Sequence, residues 1–246
     1  MPRFEACIFD FYGTLAEIHT DEEKAELWEK LALFYGYYGA CYRAGELKEA
    51  YRRIAEEMAG ESGAARGMAY EVYPEMQVER VFQRLFEEKG VKAKRELAVY
   101  TGQLFRVLST DYLRLYEGTR GMLEKVKGSG SKVYLLSNAQ RIFTEYEMRA
   151  LGLEGFFDGI FLSSDFGCRK PDERFFEGLL GRYGIVRERA VMVGNDGVCD
   201  IDGAKGVGLA TLFVRSGLSP MGEEPRADFV LERVDMGEVG MILVGE

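Results

Sequence analysis

The C-terminal half of the chain repeats one pattern: a short apolar run, then a stretch with apolar residues at helical spacing. The runs are KVYLLSN (132–138), GIFLSS (159–164), AVMVGND (190–196), ATLFV (210–214) and ADFVLERV (227–234). A sixth, FEACIFD (4–10), stands alone at the N-terminus. Helical stretches at 119–127, about 140–151 and 172–184, and a short one at DIDGAKGVG, lie among them. Runs that are apolar on both faces suit strands covered from both sides, as in a parallel sheet. Strands alternating with helices form right-handed crossovers. The pattern predicts an α/β fold with a Rossmann-like parallel sheet.

Between the first run and the rest, residues 16–116 are helical in character. KAELWEKLALFYGYYG, ELKEAYRRIAEEMAG, EMQVERVFQRLFEEKG and ELAVYTGQLFRVLSTDYL all carry apolar residues at helical spacing. Thr20 with Glu23 three residues on reads as a capping box opening the first helix. GESGAARGMA (60–69) reads as a loop. The expected organisation is an α/β core of residues 1–15 and 117–246 with an all-helical cap, 16–116, inserted after the first strand.

The chain has 246 residues and a formal net charge of −9, with both signs mixed along it. A basic stripe of the kind that marks nucleic-acid binding is missing, so nucleic acid is not an expected partner. An anionic small molecule remains compatible, because local cations decide its binding. Cys7, Cys41, Cys168 and Cys199 form no CxxC pair and no metal spacing with His19, which points to reduced thiols and a cytoplasmic protein. The N-terminus is too interrupted by charge for a signal peptide, and no apolar run reaches membrane-spanning length. FYGYYGACY is either cap core or a dimer face, leaving monomer and homodimer both open.

In an open parallel sheet, ligands bind beyond the carboxyl ends of the strands. This sequence places Asp10 at the first such end and Ser137–Asn138 at the second. Lys170 follows the third, and Asn195, Asp196, Asp200 and Asp202 follow the fourth. Each has an ordinary reading alone. Asp10 would cap a turn, Ser137 and Asn138 would be N-caps, and Asp172 would cap the helix after Lys170. Asp200 and Asp202 would be solvated. Four such groups at four consecutive strand ends are hard to attribute to chance.

FDFYGTL with Asp10 and Thr14, LLSNA with Ser137, RKPDERFF with Lys170 and VGNDGVCDIDGAKGVG resemble, in order and spacing, the four motifs of the haloacid dehalogenase superfamily. The resemblance covers residues 4–15 and about 117–235, and that superfamily carries a helical cap where 16–116 lies. It implies that Asp10 is a nucleophile forming a covalent aspartyl intermediate. Thr14, Ser137 and Asn138 would hold the anionic part of the substrate. Lys170 would keep Asp10 ionised and reduce anion–anion repulsion. Asp10, the Tyr12 carbonyl and residues among Asn195, Asp196 and Asp200 would bind Mg²⁺.

Two positions depart from the phosphatase pattern. Those enzymes carry a second aspartate two residues after the nucleophile, which protonates the leaving group and then activates water. Here that residue is Tyr12, as in the dehalogenases, and a phenol with a pKa near about 10 is a poor proton shuttle. Asn195 also stands where an acid is expected. The neighbouring aspartates nonetheless favour a retained Mg²⁺ site. A Mg²⁺-dependent phosphatase of a small phosphorylated metabolite is therefore the first reading. The alternatives are a metal-independent 2-haloacid dehalogenase and a weakened, ligand-binding member. The dehalogenase reading needs a halide cradle, for which Arg43 and its aromatic neighbours are candidates. An aromatic stripe packed inward with Arg43 outside is the preferred account, and Phe176 stands in a region where dehalogenases carry tyrosine.

Overall fold

The computed structural model describes residues 3–64, 73–222 and 225–246, and the side chains of 61–64 lie outside that description. In chain order the elements are β1 (Ala6–Phe9), β2 (Ala16–Thr20), α1 (Ala25–Tyr37), α2 (Ala44–Ala64), α3 (Glu79–Glu88) and α4 (Arg95–Ser109). Then come β3 (Thr110–Leu115), α5 (Thr119–Gly128), β4 (Lys132–Ser137), α6 (Arg141–Ala150), β5 (Gly159–Leu162), α7 (Ser163–Phe166) and α8 (Glu173–Tyr183). The chain closes with β6 (Ala190–Gly194), a π-helical turn (Gly197–Asp202), α9 (Gly203–Gly206), β7 (Ala210–Val214), β8 (Phe229–Leu231) and α10 (Met236–Val244).

Six strands form one sheet in the order β5-β4-β1-β6-β7-β8, and all its pairings are parallel. The α/β expectation therefore holds. Side chains alternate along a strand, so β1 feeds two core layers. Cys7 and Phe9 pack with Met122 and Leu123 of α5 and Val239 and Leu243 of α10. Ala6 and Ile8 pack with Phe175, Phe176, Leu179 and Leu180 of α8. β1 sits between β4 and β6, where the strand order reverses, so a crevice opens at its carboxyl end. Phe9 is level with Leu135 on one side and Val193 on the other, which brings three strand ends together.

The inserted segment has its own core of Leu27, Trp28, Leu31, Tyr35, Phe82, Phe86 and Phe105. Tyr35 is buried and Arg43 exposed, but Tyr37 and Tyr38 are also exposed, so the aromatic stretch faces inward only in part. Three further details differ from the sequence reading. Residues 110–115 continue the helical spacing of α4 but form β3, which pairs antiparallel with β2 in a two-stranded ribbon at the root of the insertion. Thr20 therefore ends a strand and caps nothing; α1 starts after Lys24. Residues 60–64, read as loop, complete α2, while 65–69 lie outside the described residues.

Candidate active site

Asp10 is the first residue beyond β1, and its N–H donates to the Val193 carbonyl of β6 at 3.0 Å. The Ser137 hydroxyl, at the last position of β4, donates to Asp10 Oδ1 at 2.9 Å. Lys170 Nζ donates to the same Oδ1 at 2.7 Å, to Asp200 Oδ1 at 2.6 Å and to the Leu136 carbonyl at 2.9 Å. All three ammonium protons are thus used, in a residue only 2% exposed. Burial disfavours the charged amine, but Asp10 and Asp200 override it and hold its pKa above the ordinary value. Burial pushes the Asp200 carboxyl up, Lys170 pulls it back and Asp10 adds repulsion. Among the described residues no hydrogen-bond donor reaches Asp10 Oδ2. One oxygen of the carboxylate is pinned and the other is left to react.

Local sequence explains the assembly. Asp200 folds back over the end of β6, where its Oδ2 accepts the N–H groups of Asn195 and Asp196, each at 3.0 Å. A Cβ on Gly194 would lie 2.3 Å from Asp200 Cγ, so only glycine admits this approach. Gly13 has φ +88°, and a Cβ there would meet Asn195 Nδ2 at 2.4 Å. That glycine lets the loop carrying Asp10 turn against β6, where the Thr14 hydroxyl donates to Asn195 Oδ1 at 3.2 Å. Asn138 grips the Lys170 backbone at both ends: its Oδ1 accepts from Lys170 N at 2.8 Å, and its Nδ2 donates to Lys170 O at 3.0 Å.

The sequence-predicted residues therefore divide. Asp10, Ser137, Lys170 and Asp200 come together, with Thr14 and Asn195 beside them. Asn138 holds Lys170, and its side chain is occupied in doing so. Asp196 is a helix cap, with Oδ1 accepting from Val198 N at 3.0 Å and Cys199 N at 2.7 Å. Asp202 is exposed, Asp172 caps α8 as anticipated, and Phe176 is core packing.

Tyr12 points into a different network. Its phenol donates a short hydrogen bond to Glu147 and lies 3.0 Å from Thr144 Oγ1, both on α6. Arg106 of α4 clasps Glu147 through Nε at 2.6 Å and Nη2 at 3.2 Å. The Arg106 guanidinium also sits 5.5 Å from the Tyr12 ring centroid. Burial, reinforced by the Glu147 charge, raises the Tyr12 pKa far above its ordinary value. The phenol stays protonated and committed to Glu147. Its partners lie about a hundred residues or more away along the chain, and the sequence reading missed them. A cavity of about 880 Å³ lies between α4, β3 and α6, lined by Arg106 and Glu147 and by none of Asp10, Ser137 or Lys170.

No cluster of three His, Cys, Asp or Glu side chains suited to a metal occurs among the described residues. The donors beside Lys170 and Thr14 are hard oxygens, Asp10 Oδ2 and the Asn195 amide oxygen, and the family resemblance adds the Tyr12 carbonyl. Mg²⁺ takes one or two carboxylates and keeps several waters, so this set fits Mg²⁺ and does not fit a soft or fully caged ion.

Comparison with known proteins gives the family. Residues 4–208 match the haloacid dehalogenase-like hydrolases, and the chain belongs to that family. It is a hydrolase of the family by that match. It is 30% identical to a glyceraldehyde 3-phosphate phosphatase from Methanothermobacter thermautotrophicus over 70% of each chain. A phosphoserine phosphatase from Thermus thermophilus is also 30% identical, over 65% of this chain and 63% of that one. Solved structures with the same fold include both phosphatases and dehalogenases of the family. A 2-haloacid dehalogenase from Pseudomonas syringae pv. Tomato superposes with a TM-score of 0.62 at 19% identity, covering 97% of this chain and 98% of that one. At that identity the likeness concerns the fold.

Proposed function

We propose that this chain is a Mg²⁺-dependent phosphatase of a small phosphorylated metabolite, with residues 1–15 and 117–246 carrying the chemistry and 16–116 serving as the cap. The observation that carries the reading is the Asp10 carboxylate, pinned at Oδ1 by Ser137 and Lys170 and unengaged at Oδ2. The two phosphatase relatives support phosphorylated substrates. In the proposed reaction Asp10 Oδ2 forms a bond to phosphorus as the bond to the leaving oxygen breaks. Water then attacks the aspartyl phosphate, releasing phosphate and restoring the carboxylate.

Charge balance supports the cation. Asp10, Asp200 and Lys170 sum to a net negative charge before a phosphate arrives, and like charges in a buried site repel strongly. Asp10, the Tyr12 carbonyl and Asn195 would hold Mg²⁺, which supplies positive charge to the phosphoryl oxygens. Lys170 keeps Asp10 ionised, and Ser137 and Thr14 with nearby N–H groups orient the phosphate. Asp200 uses both carboxylate oxygens, on Lys170 and on the Asn195 and Asp196 N–H groups, whereas Asp196 caps through Oδ1 alone and its Oδ2 is a further candidate ligand.

The Tyr12 phenol is bound to Glu147 and so is not available to protonate the leaving oxygen. Turnover should therefore favour acyl or aryl phosphates, whose leaving groups depart without protonation. A rate series with aryl phosphates of graded leaving-group pKa and one alkyl phosphate tests this. A steep fall with rising leaving-group pKa is expected, and a flat series contradicts it. Tyr12 keeps 2-haloacid dehalogenation as the second reading, because halide leaves without a proton. Arg43, exposed on the cap, offers that reading no halide cradle.

A further inference from the structure

Between α2 and α3 the cap sends a short connector, residues 73–78, onto the core. Its backbone makes two hydrogen bonds with the loop that ends in Lys170: Arg169 N donates to Tyr73 O and Glu75 N to Gly167 O, each at 3.0 Å. The Glu75 carboxylate reaches further. Oε2 accepts from the Ser163 hydroxyl at 2.9 Å, and Oε1 accepts from Gln140 Nε2 at 3.1 Å. Ser163 is fully buried, and its Oγ accepts from Ala139 N at 2.9 Å. Gln140 completes the clasp, with Nε2 donating to Met76 O at 2.9 Å and Oε1 accepting from Val78 N at 3.0 Å.

These bonds converge on two catalytic loops. Ala139 follows Asn138, the residue that grips the Lys170 backbone, and Arg169 precedes Lys170. A continuous path therefore runs from Glu75 through Ser163 and the Ala139 amide to Asn138 and Lys170. Lys170 in turn fixes Asp10 Oδ1. Asn138 and Lys170 sit on separate loops, after β4 and after α7, and from the cap Glu75 bonds groups on both sides of that gap. A displacement of reacting groups by a fraction of an ångström to one ångström costs one to two orders of magnitude in rate.

We propose that Glu75 is a positioning residue supplied by the cap: by holding Ser163 and Gln140 it aligns the loops that carry Asn138 and Lys170 with Asp10. The inference rests on the hydrolase reading above. It predicts that a docked connector completes the catalytic arrangement and an undocked one loosens it.

Two readouts test it. The first is hydrogen exchange of the free protein, which needs no turnover. Glu75→Ala should speed exchange at the Ala139, Arg169 and Lys170 amides at least about tenfold while leaving β1 and β6 unchanged. The second is steady-state hydrolysis of an aryl phosphate with Mg²⁺. Glu75→Ala should lower kcat by about 10- to 100-fold with KM within about threefold, and Glu75→Gln, which keeps one acceptor oxygen, should recover most of it. Ser163→Ala removes the bridge with little change in volume and should give the same signature even if Glu75→Ala folds poorly. The double variant should be no worse than the poorer single one, since both break one path. Unchanged exchange, or additive losses in kcat, overturns the proposal. Exchange that responds to Glu75→Ala, in a protein whose wild type shows no hydrolysis dependent on Asp10, overturns the phosphatase reading instead.

Discussion

The carboxyl edge of the sheet and the cap connector meet at the same loops, yet they are built differently. At the sheet edge, Asp10, Ser137, Lys170 and Asp200 are at most 7% exposed and joined by charged hydrogen bonds of 2.6–2.9 Å. Removing one member strands charges away from water. The connector is half-buried and held by neutral backbone and amide bonds, plus one carboxylate. Each such bond has a net worth of about 1 kcal/mol, because water replaces it when it opens. The chemistry is therefore assembled by buried charged bonds, while the connector is attached by weaker contacts at half-buried positions. If substrate enters past the connector, opening those contacts precedes turnover.

Lys170→Met should give the largest effect and would break the contrast if it did not. It leaves Asp10 and Asp200 facing each other without a cation. A loss of about 3–5 kcal/mol in stability, read by denaturant unfolding, and near-complete loss of hydrolysis are expected. The next effect concerns the connector. Pro74 and Cys168 are partners in an antiparallel bridge, a spacing that suits a disulfide. In Pro74→Cys, with Cys41→Ser to avoid mispairing, oxidation should slow turnover at least about tenfold and reduction should restore it. Equal rates in both states would show that substrate reaches Asp10 with the connector docked.

The smallest effect is expected at Tyr12. Tyr12→Phe removes the bond to Glu147 but keeps the ring, so stability should fall by about 1–3 kcal/mol and kcat less than tenfold. The wild-type phenol titrates above its ordinary value, so it stays protonated below that value. The profile of kcat/KM should therefore show no alkaline limb from Tyr12 up to about pH 10, and Tyr12→Phe should not change its shape. A limb near pH 9 that vanishes in Tyr12→Phe would restore the residue to proton transfer.

The sheet edge was legible in the sequence because a parallel strand ends where its apolar run ends, and the runs FEACIFD, KVYLLSN and AVMVGND end in the groups Asp10, Ser137 and Asn195. Asp196 and Asp200 were not distinguishable by composition. The signal that separates them is Gly194, whose missing side chain admits only Asp200. The β2–β3 ribbon was hidden because TDYLRL follows α4 without a breaker and keeps its apolar spacing. Glu75, Arg106 and Glu147 lie far in sequence from the groups they serve, and nothing local marks a charged residue on an amphipathic stretch as anything but solvated.

Asp10→Asn preserves shape and removes the nucleophile, so it addresses the central claim most directly. Phosphate release from an aryl phosphate should be measured for wild type and Asp10→Asn, with Mg²⁺ and with EDTA, beside chloride release from 2-chloropropionate. The account predicts Mg²⁺-dependent phosphate release in the wild type, reduced at least about 1,000-fold in Asp10→Asn, and no chloride release. Chloride release that persists in EDTA and disappears in Asp10→Asn, with phosphate esters untouched, would contradict it.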